Sequence, residues 1–363
     1  MLDLLHLNGS RGWSGAMFSA SLTESRPLAM RPNRRTGWGR DDLRRLTAVT
    51  IVALTTFTHT GCEQEQPPPP PASLGPDPVI GATPPAEGDL VFDREFLFLS
   101  SDPDSLVAVP WFFRARATPA GVQREQTAWL LRAGDWEVLG QQSRTTPPTR
   151  EPWKILPGET IRLIVGPGDR IESLLLRDPP RELETVLDAL MTEWTTAGSE
   201  SIRMYRGHTQ SPLGRVDGIV LEISRRWEAS EDGGPGDWVF LYGGSDMQLF
   251  VEGERPQREP EESVPYRGWS RVALRDLQWP ELSVVWEEMR AYQDARRDVP
   301  IRWGLNSPAG EIAGSVEATS SHLLTGQGDG PLLPLLGLFG VSGSVRIEGE
   351  EFSVTGFLRH TQR

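Results

Sequence analysis

Three of the five histidines, those downstream of residue 62 (His208, His322 and His360), the one cysteine (Cys62) and a glutamate on an apolar run (Glu222) are the side chains here that could carry out chemistry. No two of these histidines lie within four residues of each other, so no helical metal pair exists, and neither a metal site nor a cofactor is expected. Gly-x-Ser-x-Gly elbows, phosphate loops and dinucleotide fingerprints are absent from the sequence. His208, in "RGHTQSPLG", reads as a loop residue. Glu222 is the best candidate acid. Facing inward beside Trp227 and Trp238, its carboxyl would be raised by desolvation and could donate a proton. Val220 and Ile219 compete for the same interior, and strand alternation favours an outward Glu222.

Cys62 follows "LTAVTIVALTTFT", residues 46–58, an uncharged run too short to cross a bilayer as a helix, which needs about 20 residues. It has the length of an export-signal core, and "MRPNRRTGWGRDDLRRL" before it supplies the basic flank. Thr60 and Gly61 precede the cysteine, an arrangement that resembles a bacterial lipobox, with His59 where leucine is usual. Residues 1–61 are therefore expected to be a signal segment, with Met30 as the start and Cys62 as the lipidated first residue of the mature chain. The pair Arg44-Arg45 is compatible with twin-arginine export. Residues 62–88, with "PPPPP" at 67–71, form a semi-rigid spacer holding the rest away from a membrane. The expected location is the bacterial cell envelope, membrane-tethered through lipid.

Charge narrows the partners. Residues 1–61 hold 8 of the 37 Arg and Lys and 4 of the 50 Asp and Glu, leaving 29 basic against 46 acidic groups downstream, near −17. Such a surface repels phosphate backbones, so nucleic acid is excluded as a partner. Eleven of the 13 tryptophans follow the spacer. Their large rings with one N–H suit cores and cavity walls alike.

From residue 89 onward most of the chain reads as short alternating strands, such as "REFLFL", "VPWFFRARAT", "GIVLEISRRW" and "FSVTGFLRH", separated by turns such as "PGDR". That pattern predicts antiparallel sheet closed as barrels or sandwiches. "PRELETVLDALMTEWTTAG" differs: Leu183, Val186, Leu187, Leu190 and Trp194 fall at helical spacing, and the segment is expected to be a short helical insertion. "ELSVVWEEMRAYQDARRD" reads as either helix or long strand. "VDGIVLE" (216–222) and "VTGFLRH" (354–360) echo each other 138 residues apart, which supports a duplicated unit.

"GIVLEISRRWEASEDGGPGDWVFLYGGSDMQLFV" resembles the strand–turn–strand joining the two halves of the hydroxyneurosporene synthase (carotenoid 1,2-hydratase) superfamily, through Gly218, Glu222, Trp227 and Trp238. Pro300, Trp303, Gly343, Val345, Ile347, Gly356 and Phe357 take the places of that family's closing strands. The resemblance implies an all-β fold of two tandem lipocalin-like β-barrels, at 89–230 and 231–363, with Trp227, Trp238 and Trp303 as ligand-contacting residues. The family's closing Gly-Tyr-hydrophobic-Glu stands here as Gly356-Phe357-Leu358-Arg359, without an acid, which argues against hydratase chemistry. The leading expectation is a lipoprotein that binds an apolar small molecule, a lipid or isoprenoid, without catalysis. The alternatives are a hydratase, cyclase or isomerase acting on such a molecule, and a structural or protein-interaction lipoprotein with filled barrels.

Overall fold

The computed structural model describes residues 90–362, apart from 103–105, 180, 196–199, 230–233, 260–261 and 327–329. Cys62, the signal segment and the proline spacer lie outside the described residues.

The described chain is mostly strand, joined by turns and loops, and its single helical element among the described residues is a short 3-10 turn at Pro167–Asp169. Nine strands build the first sheet: β1 (Leu90–Ser100), β2 (Val107–Thr118), β3 (Gly121–Arg132), β4 (Asp135–Thr146), β5 (Ile161–Val165), β6 (Ile171–Asp178), β7 (Arg181–Thr195), β8 (Ser201–Ser211) and β9 (Gly214–Glu228). Eight build the second: β10 (Trp238–Tyr242), β11 (Met247–Gly253), β12 (Tyr266–Val272), β13 (Arg275–Tyr292), β14 (Arg297–Asn306), β15 (Ile312–Thr325), β16 (Leu335–Ile347) and β17 (Glu350–Gln362). All described pairings are antiparallel. The second sheet is a closed barrel, sealed where β17 pairs with β10. The first runs β4-β3-β2-β1-β9-β8-β7-β6-β5 and curls into a barrel-like shape. Side chains reach β4 from the far end of the sheet: Gln142 Nε2 of β4 donates to Thr160 Oγ1, just before β5, at 2.9 Å, and Arg181 Nη1 of β7 donates to the Val138 carbonyl of β4 at 3.2 Å. The fold is thus two tandem lipocalin-like β-barrels.

The expected helix is strand β7. Two bulges, between Leu187 and Ala189 and between Leu190 and Thr192, each insert a residue against β8 and reset the alternation. Leu183 and Leu187 consequently point into the first barrel, whereas Trp194 points to its outer face. A period of two interrupted twice looks like a period of 3.6, and the helical spacing came from that. The ambiguous segment at 281–298 likewise resolves as the long strand β13, bulged around Glu288, followed by a turn at 293–296 into β14.

Alternation sorts the core into three layers. On β1, Phe96 and Phe98 face the interior of the first barrel with Trp111, Leu174 and Val220. Leu97 and Leu99 face the other way, into a shared layer with Ile219, Leu221 and Ile223 of β9 and Trp238, Phe240, Phe250 and Phe357 of the second barrel. Leu241, Leu249, Trp286, Trp303 and Phe339 fill the second barrel. Where the two barrels meet, their outer faces are therefore apolar, and the pair packs through that middle layer.

Gly218 and Gly356, the glycines of the sequence echo, occupy matching places on β9 and β17. A Cβ at either would lie 2.1 Å from the Leu99 carbonyl oxygen or 2.2 Å from that of Phe240. Both strands close their sheets onto the first strand of the unit, β9 onto β1 and β17 onto β10. The close approach of backbone explains why glycine recurs at this step.

Candidate functional site

Because Glu222 is two residues from Val220 on β9, it shares that residue's face and points into the first barrel, not outward. It is 1% exposed. The register sets it opposite Phe96 on β1 and Arg203 on β8. Arg94, two residues from Phe96 on the same face of β1, donates to Glu222 Oε1 from Nε at 2.8 Å and from Nη2 at 2.5 Å. Tyr205 on β8 donates its O–H to Oε2 at 2.9 Å. Burial first, and then the Glu222 carboxylate, push the Tyr205 hydroxyl well above the usual phenol range, so it remains a donor. With both oxygens accepting, Glu222 serves as the counter-ion of Arg94 and is poorly placed to hand a proton to a ligand.

Above this triad the barrel mouth opens as a cavity of about 310 Å³, lined by Phe92, Arg94, Phe113, Trp153, Ile155, Ile171 and Ser224 among others. One wall is the connection between β4 and β5, and β3 fastens it. Arg124 Nη1 donates to the carbonyls of Pro152 (3.0 Å) and Lys154 (2.7 Å), and Gln126 Nε2 donates to that of Leu156 at 2.5 Å. Trp153 then rests on Phe92 with ring centroids 6.1 Å apart. The result is a pocket of mixed lining, of a size at the small end of ligand sites, in which Phe92, Phe113, Trp153 and Ile171 stand beside the charged Arg94, Arg124, Lys154 and Arg226.

The tryptophans expected to contact ligand separate. Trp227 lies half-buried on the opposite face of β9 from Glu222, its Nε1 donating to Asp93 at 3.0 Å and its ring 5.6 Å from the Arg114 guanidinium. Trp238 is 1% exposed in the layer between the barrels, donating to Glu95 Oε2 at 2.8 Å. Trp303 is 1% exposed within the second barrel, edge-on to Phe339 at 5.2 Å. None of the three lines the mouth cavity. Trp238 belongs instead to a buried ionic seam: Arg225 pairs with Glu95 at 3.3 Å and with Glu252 across the barrel interface. Burial raises the Glu252 carboxyl, more than the Arg225 guanidinium lowers it.

Arg94 and Tyr205 carry no motif and were not legible as site residues; only strand register brings them to Glu222. Among the described residues there is no group of three or more His, Cys, Asp and Glu side chains able to hold a metal ion.

No family model matches the chain, and no curated protein matches it. Solved structures of similar shape exist. They include kievitone hydratase from Nectria haematococca (12% identity, TM-score 0.47, covering 75% of this chain and 88% of that one). A protein assigned as ATTH from Nitrosomonas europaea follows (10% identity, TM-score 0.45, covering 75% and 92%). CghA in complex with Sch210972 is a third (11% identity, TM-score 0.41, covering 75% and 88%). The chemistry of this chain rests on its own side chains.

Proposed function

We propose that the first barrel binds a small, largely apolar molecule, of lipid or isoprenoid character, with its polar end directed to Arg94. The observation that carries this reading is the mouth cavity itself: aromatic and aliphatic side chains set among charged ones, with the Arg94 guanidinium held in place by Glu222 and Tyr205. Apolar walls with well-placed polar groups among them are the usual design for orienting such a ligand. The bound commitment of Glu222 favours retention over catalysis at this site. On the same reading the chain is a lipid-anchored envelope protein, tethered through Cys62, that resembles the carotenoid hydratase superfamily while lacking its closing acid.

A test uses cis-parinaric acid, whose fluorescence rises in apolar surroundings. Ser224 is half-buried, faces the cavity beside Arg94 and can be replaced without removing core. The intact chain should bind the probe saturably, and Ser224→Trp, which fills the mouth, should weaken binding by roughly tenfold or more. Equal affinity in the two proteins would exclude the mouth as the site.

A further inference from the structure

The residue of the second barrel that corresponds to Glu222 in the sequence echo is His360, 138 positions later. The register bears out the correspondence, with each residue four positions beyond its close-packed glycine on the closing strand. His360 is fully buried and faces the barrel interior, 5.2 Å from Trp286 edge-on and 6.5 Å from Phe339. Its Nδ1 lies 2.5 Å from Asp237 Oδ2, and Asp237 Oδ1 accepts the Thr361 N–H at 2.7 Å. An ionised carboxylate can only accept, so Nδ1 carries a proton, and in the neutral imidazole Nε2 then presents a lone pair. Here the two barrels part company. Both oxygens of Glu222 are taken, whereas His360 Nε2 has no partner among the described residues.

Other interior groups of this barrel are in the same condition: Trp286 Nε1, Trp303 Nε1 and the Tyr266 hydroxyl are buried without partners among the described residues. All three are donors, and burial, with Asp237 and Glu262 nearby, keeps the Tyr266 hydroxyl protonated. One lone pair and several N–H or O–H groups together match a hydroxyl, which donates once and accepts twice. A cavity of about 560 Å³ is lined by Met289, Tyr292, Leu332 and Gln362 together with the charged Arg258, Glu259, Arg296, Arg297 and Asp298; His360 itself does not line it. Gln362 is one step beyond His360 on the same face of β17, and Met289 follows the bulge that sets Trp286 on β13. A step of two residues spans about 7 Å, which sets His360 one step inward from the cavity wall at Gln362.

We propose that the second barrel is a separate binding site for an apolar molecule bearing a hydroxyl group, with His360 Nε2 accepting that hydroxyl's hydrogen bond and Asp237 fixing the tautomer. This stands apart from the first barrel, where the polar contact is the Arg94 cation.

The experiment is histidine-selective ¹⁵N NMR of the full chain, titrated with 1-dodecanol and, in parallel, with dodecyl methyl ether, which lacks the donor. The His360 imidazole signals, identified by their loss in His360→Gln, should shift saturably with the alcohol and not with the ether. Met289→Trp fills the cavity at its Met289 wall and leaves the Asp237–His360 pair in place, so it keeps the test decisive if the histidine variant folds poorly. It should weaken the alcohol response by roughly tenfold or more. Ser224→Trp, which closes the other barrel, should leave the response intact. The proposal is overturned by equal shifts with the two probes, by no shift at saturating alcohol, or by an unchanged response in Met289→Trp.

Discussion

The pairing of Arg94 with Glu222 makes a quantitative claim about the first barrel. Arg94→Leu leaves a carboxylate that is 1% exposed with a single donor, the Tyr205 hydroxyl. Breaking a buried pair from one side costs about 3–5 kcal/mol, and the 19% exposure of the Arg94 side chain places this variant near the lower end, about 3 kcal/mol. Glu222→Leu leaves a cation that can turn toward the open mouth, so its cost should be smaller, about 1–2 kcal/mol. The double variant removes both charges and fills the space with apolar groups, which is often close to neutral. With a near-neutral double variant the cycle therefore predicts a coupling of roughly 4–5 kcal/mol between the two positions, the sum of the two single losses. Equilibrium unfolding in guanidinium chloride, followed by circular dichroism, reads all four proteins, and the denaturant slope should stay constant. If the double variant loses the plain sum of the two single losses, the side chains do not act as a pair. Glu222 would then have to be reconsidered as an independent, reactive acid.

Trp238→Ala and Trp303→Ala should each lower stability by about 3–5 kcal/mol in the same assay, because both rings are fully buried among core residues; near-neutral stability would refute that role in the core. Asp93 sets an acid limit. Burial alone would raise its carboxyl, but the bidentate Arg114 pair and the Trp227 N–H outweigh burial and hold it below the usual carboxylate range. Its contribution should be complete above the ordinary carboxylate value, about 3.9, and fade as pH falls through the lower folded value. Asp93→Asn should flatten that part of the stability–pH curve, and an unaltered acid limb would refute the assignment. At the other end of the chain, Cys62→Ala should move the protein from the membrane to the soluble fraction, and unchanged fractionation with no lipid on the mature N-terminus would remove the anchor from the account.

What could be read in advance was local and periodic. Strand runs, the turns between them and the echo at 216–222 and 354–360 depend on neighbours in sequence, and each survives in the folded chain as a strand or a closing step. Where the period was broken, reading failed: the bulges of β7 spread Leu183, Leu187, Leu190 and Trp194 into a helical spacing that no single-sequence pattern distinguishes from a helix. The face on which Glu222 lies was undecided for a different reason. Both faces of β9 are apolar, since one lines a barrel and the other packs against its twin, so alternation between polar and apolar carries no inside or outside. The site residues were hidden by distance. Arg94 meets Glu222 from 128 positions away, and Asp237 meets His360 from 123. The echo did hold one clue, since it sets Glu222 and His360 at equal rank. Only register decided that one of them would be closed off by two donors and the other left with a free nitrogen, because hydrogen-bond partners across a sheet are fixed by which strands lie side by side and not by the order in which they are written.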